Sequence, residues 1–254
     1  MKEFTKDTLK VKILENRTAM GECAARDIHD CIQALLAKKD EINMIFAAAP
    51  SQSDALAALV KYTDIEWNRI NAYHMDEYIG LADEFIDQRF AKYLEDHIFG
   101  LVPFKSVNLI NCSAENYEEE CERYSALLKA NPTDIVVMGI GENGHIAFND
   151  PWIADFSDKQ VVKIVPLDEV CRKQQVNDGC FPAVENVPTH AMSLTCPTLV
   201  SAPNLFCIVP AATKANAVFA TINDEISEKC PATILRRQKN ATLYLDPDSA
   251  SLID

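Results

Sequence analysis

The sequence predicts an α/β fold: a single domain over residues 1–254, built as a doubly wound, mostly parallel sheet with helices on both faces. Three observations carry that expectation. Short apolar, β-branched runs recur at 11–14, 42–49, 134–140, 205–209 and 241–245. Segments with helical apolar spacing lie between them, an alternation that sets parallel strands between packed helices. No internal repeat, low-complexity tract or Gly/Ser linker interrupts the chain.

The elements follow in order. Residues 11–14, Val-Lys-Ile-Leu, read as a first strand. Over 19–38 the apolar positions Ala24, Ile28, Cys31, Ile32 and Leu35 recur at helical spacing, with Thr18 available as a cap. Residues 42–49 read as a buried strand. A helix over 54–62 follows, which Ser51 and Asp54 would open as a capping box. A further helix is punctuated by Ser113 at its start and Asn131-Pro132 at its end, with Tyr117, Cys121, Tyr124 and Leu128 on one face. The run 134–140 is continuously apolar after Asp134 and reaches glycine at Gly139, as expected of a central strand buried on both faces. Residues 205–209 and 241–245 are later strands. In such sheets ligands bind beyond the carboxyl ends of the strands, so the residues just after each strand are those to inspect.

Composition narrows the function. The 254 residues are 48% apolar and 24% charged, enough for a sizeable core. No run of about eighteen apolar residues predicts a membrane span. The opening Met1-Lys2-Glu3-Phe4-Thr5-Lys6-Asp7 lacks an apolar signal region, so a cytoplasmic protein is expected. With 24 Lys+Arg against 38 Asp+Glu, the net charge of −14 argues against nucleic acid or an anionic membrane as partner. A local basic pocket for a phosphate remains compatible with it. The nine cysteines are odd in number and form no Cys-x-x-Cys pair, so reduced core cysteines are expected rather than a disulfide scaffold or a metal site.

Four strand ends hold residue types that carry chemistry. Met75-Asp76-Glu77-Tyr78 places paired carboxylates after an apolar stretch: a general base near a sugar carbon, or a solvated acidic turn. Gly139-Ile140-Gly141-Glu142-Asn143-Gly144-His145 lets the backbone approach a ligand and then presents one histidine, with Asp150 five positions on. Ala49-Pro50-Ser51-Gln52-Ser53-Asp54 opens a helix whose free N–H groups suit a phosphate, or is a plain capped helix. Pro210-Ala211-Ala212-Thr213-Lys214 sets a lysine in the first turn of a helix, where it opposes the helix dipole unless an anion sits there. These residues alone reach a sugar-phosphate-sized site with an acid, a histidine and a lysine.

Over about residues 10 to 250 the sequence resembles the glucosamine-6-phosphate deaminase/isomerase family, which shares its fold with 6-phosphogluconolactonase. The resemblance is carried by Met75-Asp76-Glu77-Tyr78-Ile79-Gly80-Leu81 and by Gly141-Glu142-Asn143-Gly144-His145-Ile146-Ala147-Phe148-Asn149-Asp150-Pro151. The lactonase branch typically has Asp-Glu-Arg and Gly-His-Thr-Ala-Ser in these places, so Tyr78 and residues 146–149 favour the amino-sugar branch. The resemblance implies that Asp76 carries a proton between C2 and C1 and that His145 opens the pyranose ring. It implies that Lys214 binds phosphate, and that loss of ammonia after an enolamine leaves fructose 6-phosphate with no cofactor or metal. Glu77 and Gly141 are implied substrate contacts.

The departures from the family pattern matter. Its Thr-Gly-Gly-Thr-Pro phosphate loop is Ala48-Ala49-Pro50-Ser51-Gln52 here, so contacts from Ser51, Gln52 and Ser53 must substitute. Asn143 stands where the family has an Asp and Asp150 where it has a Glu. A phosphate-contacting Arg falls on Gln175, with Arg172 one helical turn earlier as a stand-in. These changes make galactosamine 6-phosphate a serious alternative substrate. The other readings are lactone hydrolysis, with His145 activating water, and a non-catalytic sugar-phosphate sensor. The resemblance covers both monomers and hexamers and so allows a homo-oligomer.

Overall fold

The computed structural model describes residues 1–253. β1 (Lys2–Lys6) and β2 (Leu9–Ile13) form an antiparallel hairpin that turns through Asp7 at φ 52°, and α1 (Arg17–Leu36) follows. Then come β3 (Ile42–Phe46), α2 (Ser53–Leu59), β4 (Ile70–His74), β5 (Asp76–Ile79), α3 (Phe90–Leu94) and β6 (Ser106–Asn108). The second half runs α4 (Tyr117–Ala130), β7 (Ile135–Met138), β8 (Val162–Pro166), α5 (Glu169–Asn177) and β9 (His190–Leu194). It ends with α6 (Cys196–Val200), β10 (Asn204–Val209), α7 (Ala215–Asn223) and β11 (Ala241–Leu245).

Eight strands form one sheet in the order β1-β2-β11-β10-β7-β3-β4-β6. Every neighbouring pair is parallel except the β1–β2 hairpin. The chain winds from β3 through β4 to β6 in one direction and from β7 through β10 to β11 in the other. The switch therefore lies between β3 and β7, where loops at the carboxyl ends diverge and leave a crevice.

The expected fold class holds, and β7 illustrates why. Its Ile135 and Val137 pack in one layer with Met20 and Ile28 of α1 and Leu56 of α2. Val136 and Met138 pack in the opposite layer with Tyr124 and Leu128 of α4 and Val218 and Ile222 of α7. All four strand residues are fully buried, and each such side chain contributes about 1.5–3 kcal/mol.

Local boundaries depart from the sequence reading in three places. The cap of α1 is Asn16 rather than Thr18: Asn16 is extended, and its Oδ1 accepts from the Ala19 N–H at 2.8 Å. Asn116, not Ser113, caps α4 by accepting from the N–H groups of Glu118 and Glu119. The Ser51–Asp54 capping box does not form. A 3₁₀ turn over Pro50–Gln52 precedes α2, and the Asp54 carboxylate turns instead to Arg17 Nε at 2.6 Å.

A second, antiparallel sheet, β5-β9-β8, stands apart from the main one and carries the acidic motif. All nine cysteines are free, six of them buried. Among the described residues no helix is long and apolar enough to cross a membrane.

Candidate active site

Four adjacent strands, β10, β7, β3 and β4, deliver their carboxyl ends to one pocket at the switch point. Its lining includes Ser51 and Gln52 after β3, Met75 and Asp76 after β4, and Gly141 and His145 after β7. Pro210, Thr213 and Lys214 follow β10, and Gln174, Gln175 and Asp178 come from the end of α5. The structure thus brings Asp76, His145, Gly141, Ser51, Gln52, Gln175 and Lys214 together in one cavity.

His145 is held from behind. Asn143 Nδ2 donates to Asp150 Oδ1 at 2.9 Å and to Asp168 Oδ2 at 3.2 Å, which orients the amide. Its Oδ1 therefore faces His145, meeting the backbone N–H at 3.1 Å and Nδ1 at 2.7 Å. Asp150 Oδ1 is also 3.1 Å from Nδ1. Both neighbours of Nδ1 are acceptors, so this network assigns the ring proton to Nδ1 and leaves Nε2 as the lone-pair nitrogen. Asn143 and Asp150 do not line the pocket; they touch its histidine. Burial pushes the fully buried Asp150 carboxyl up, but the hydrogen bond and charge of His145, with help from Asn143 and the Asp168 N–H, hold it below its ordinary value.

Asp76 lines the same cavity and is 7% exposed. No donor or cation answers its carboxyl among the described residues. Burial, reinforced by the neighbouring Glu77, pushes it well above the usual carboxylate range. A carboxyl of that kind is a strong base once ionised.

Lys214 is only 5% exposed, and its side-chain ammonium has no ion pair or hydrogen bond among the described residues. Burial lowers its affinity for a proton against the opposing fields of Asp178 and Glu142. The turn before it is strained: Ala211 sits at φ 83°, its N–H bound by the Asp246 carboxylate at 3.1 Å. Ala147, also on the lining, is at φ 47°. Non-glycine residues in this region cost about 1–3 kcal/mol and cluster at functional sites. Gln52 donates from Nε2 to Ser51 Oγ and to the Ile208 carbonyl, while its buried Oε1 has no partner.

Besides Asn143 and Asp150, three more residues expected at the site lie outside its lining. Glu77 points away from the cavity and accepts from the N–H groups of Tyr78, Phe90 and Ala91, closing the first turn of α3. Successive strand residues face opposite sides, so Asp76 and Glu77 cannot both enter one pocket. Ser53 Oγ meets Tyr93 OH at 2.9 Å. Arg172 is not a stand-in at the cavity: its guanidinium donates to the carbonyls of Val184 and Val187, which cap the turn following α5. Sequence reasoning missed Arg17, Gln174, Thr213 and Asp178. Thr213 follows a strand already singled out; Gln174 and Asp178 belong to a helix and its end that the sequence reading did not place, and Arg17 begins a helix after a strand far from the switch point.

One group of side chains has the elements of a metal site: ligand atoms of His145, Asp150 and Cys171 lie within 4.8 Å of one another. Here Nδ1 is engaged by Asn143 and Asp150, and burial, with the fields of Asp150 and Asp168, holds the Cys171 thiol well above its ordinary range. A protonated thiol is a poor ligand, and the arrangement serves the histidine.

A buried carboxyl, an oriented histidine and a buried ammonium thus meet at the switch point of a doubly wound α/β sheet, the place where such folds hold small ligands. Residues 15–244 match the family described as glucosamine-6-phosphate isomerases/6-phosphogluconolactonase, and the chain belongs to that family. A glucosamine-6-phosphate deaminase from Bacillus cereus (strain G9842) is 35% identical over 205 residues, 81% of this chain and 76% of that one. One from Bacillus cytotoxicus is 30% identical over 245 residues, 96% of this chain and 89% of that one. The structure of a monomeric glucosamine-6-phosphate deaminase superposes with a TM-score of 0.84 at 27% identity, covering 95% of this chain and 99% of the other. The 6-phosphogluconolactonase of Thermotoga maritima shares the fold, with a TM-score of 0.73 at 19% identity over 93% of this chain and 98% of the other.

Proposed function

We propose that the chain is an amino-sugar-phosphate isomerase/deaminase that converts glucosamine 6-phosphate, or galactosamine 6-phosphate, to the ketose phosphate and ammonia. The observation that carries this reading is the pairing of Asp76 with His145 across one cavity that also holds Lys214. His145 Nε2 takes the proton of the C1 hydroxyl and passes a proton to the ring oxygen as the C1–O bond to it breaks, opening the pyranose. Asp76 then removes the proton from C2. The substrate's own C2 ammonium favours the ionised carboxylate as it arrives, and the high proton affinity of Asp76 makes that carboxylate an effective base. Return of that proton to C1, with one proton of the 2-ammonium passing to the C1 oxygen, gives a protonated ketimine, which water hydrolyses to ketose phosphate and ammonia.

Tyr78 supports the amino-sugar branch over the lactonase branch. The site where the latter carries arginine is here fully buried against Phe90, Phe148 and Phe181. The test is ammonia release from glucosamine 6-phosphate and galactosamine 6-phosphate, measured in parallel with purified protein. Release from either supports the reading and ranks the epimers. Hydrolysis of 6-phosphogluconolactone above background with silence on both amino sugars overturns it.

A further inference from the structure

The geometry points to Arg17 as a substrate-binding residue: with Lys214 it grips the anionic end of the ligand, and Asp54 is the positioning residue that aims it. This rests on the reading of the pocket as a sugar-phosphate site. Gln175, where the resemblance places a phosphate-contacting arginine, is neutral, and the Arg172 guanidinium is spent on backbone carbonyls. Apart from Arg17, the lining then holds the unpartnered ammonium of Lys214 opposed by the carboxylate of Asp178, with Asp76 as a second acidic group. A buried ammonium without a partner is costly unless an anion completes it, and one cation opposed by one carboxylate draws a phosphate dianion weakly. Arg17 is the only arginine on the lining among the described residues.

Its guanidinium is pre-aimed. Nε donates to Asp54 Oδ2 at 2.6 Å, and Nη2 donates to the Pro50 carbonyl at 2.5 Å. Of its five N–H groups three stay uncommitted. Asp54 is not on the lining, so it fixes the fork from behind without facing the ligand. Pro50 immediately precedes Ser51 and Gln52, which ties the guanidinium to the loop in the family's phosphate-loop position. The planar fork suits two phosphate oxygens. The side chain is 42% exposed, so a ligand entering the cavity can reach it.

The experiment compares the wild type with Arg17→Gln, Arg17→Lys and Asp54→Asn in two assays. One is steady-state ammonia release from glucosamine 6-phosphate. The other is binding of inorganic phosphate by calorimetry, which needs no turnover. In Arg17→Gln, KM and the phosphate Kd should rise together by roughly 10- to 100-fold, with kcat within about 3-fold of the wild type. Arg17→Lys should recover part of the loss, and Asp54→Asn should fall between. Constants within about two-fold of wild type in Arg17→Gln, or a fallen kcat with an unchanged phosphate Kd, overturn the assignment. Loss of phosphate binding in Arg17→Gln beside a wild type that deaminates neither hexosamine phosphate upholds Arg17 and refutes the deaminase reading. Wild-type turnover with unaltered constants in the variant does the reverse.

Discussion

The imidazole of His145 packs on the bare Cα of Gly141: a Cβ built there would lie 2.0 Å from Cε1 and 2.2 Å from Nε2 of the ring. The close approach is what glycine supplies at this position, since the backbone turn is held independently by the Gly141 N–H donating to the His145 carbonyl at 2.9 Å. Gly141→Ala should therefore leave the fold intact and push the ring from its place. A displacement of about 1 Å in a catalytic group costs on the order of 10²-fold in rate. Loss of ammonia release on that scale, with an unchanged far-UV circular dichroism spectrum, is the expected result. A variant of wild-type activity would separate the ring position from catalysis.

Asp76→Asn tests the base. The amide is nearly isosteric and removes only the capacity to take a proton, so turnover should fall by roughly 10²–10⁴-fold. Binding of glucosamine 6-phosphate, followed by calorimetry, should survive within a few-fold because Lys214 and the loop after β3 are untouched. Turnover near the wild-type rate would remove Asp76 from the mechanism.

Asp150→Asn tests the orientation of the histidine. Asn143 presents Oδ1 to His145 only because its Nδ2 donates to the carboxylates of Asp150 and Asp168. With an amide at 150 that constraint weakens, and the Nδ2 end of Asn143 can turn toward the ring. The proton then moves to Nε2, the wrong nitrogen for a base. We expect kcat to fall by roughly 10²–10³-fold, with KM within a few-fold, as for tautomer errors in comparable dyads. Nitrogen-15 NMR of the imidazole reads the tautomer directly, and an unchanged Nδ1–H form would refute the explanation even if activity dropped.

These dependencies mark what the sequence makes legible. The strands of the main sheet announce themselves because β7, β10 and β11 are buried on both faces, and their composition shows it. β1 does not, because an edge strand reading Lys-Glu-Phe-Thr-Lys carries no such signature. The second sheet was equally hidden: β5 pairs with β9 across more than a hundred residues, and its first residues are two carboxylates. At the site, motif position located Asp76, His145 and Lys214, yet adjacency in sequence is not direction in space. Glu77 alternates away from Asp76, Ser53 turns to Tyr93, and Arg172 answers carbonyls that no local pattern reveals. Arg17 reaches the cavity through the packing of α1 on α2, a relationship invisible until both helices are placed.

Glu77 gives the last prediction, in stability rather than catalysis. Burial pushes its carboxyl from 4.5 up to about 7, against the pull of three backbone N–H donors and Arg89. Between those values the folded chain keeps a proton that the unfolded chain has released. Stability from this group is thus fully present below about pH 4.5, declines as pH rises toward 7 and is flat above. The displacement corresponds to roughly 3 kcal/mol across the window. Asp76 acts with the same sign, whereas Asp150, whose carboxyl is held below its ordinary 3.8, acts oppositely and only at lower pH. Glu77→Gln removes the titration. Its melting temperature should be lower throughout, since an amide cannot accept from all three N–H groups, but its decline between pH 5 and pH 7 should be visibly shallower than that of the wild type. Parallel curves for the two proteins would mean that Glu77 is ionised in the fold across this range.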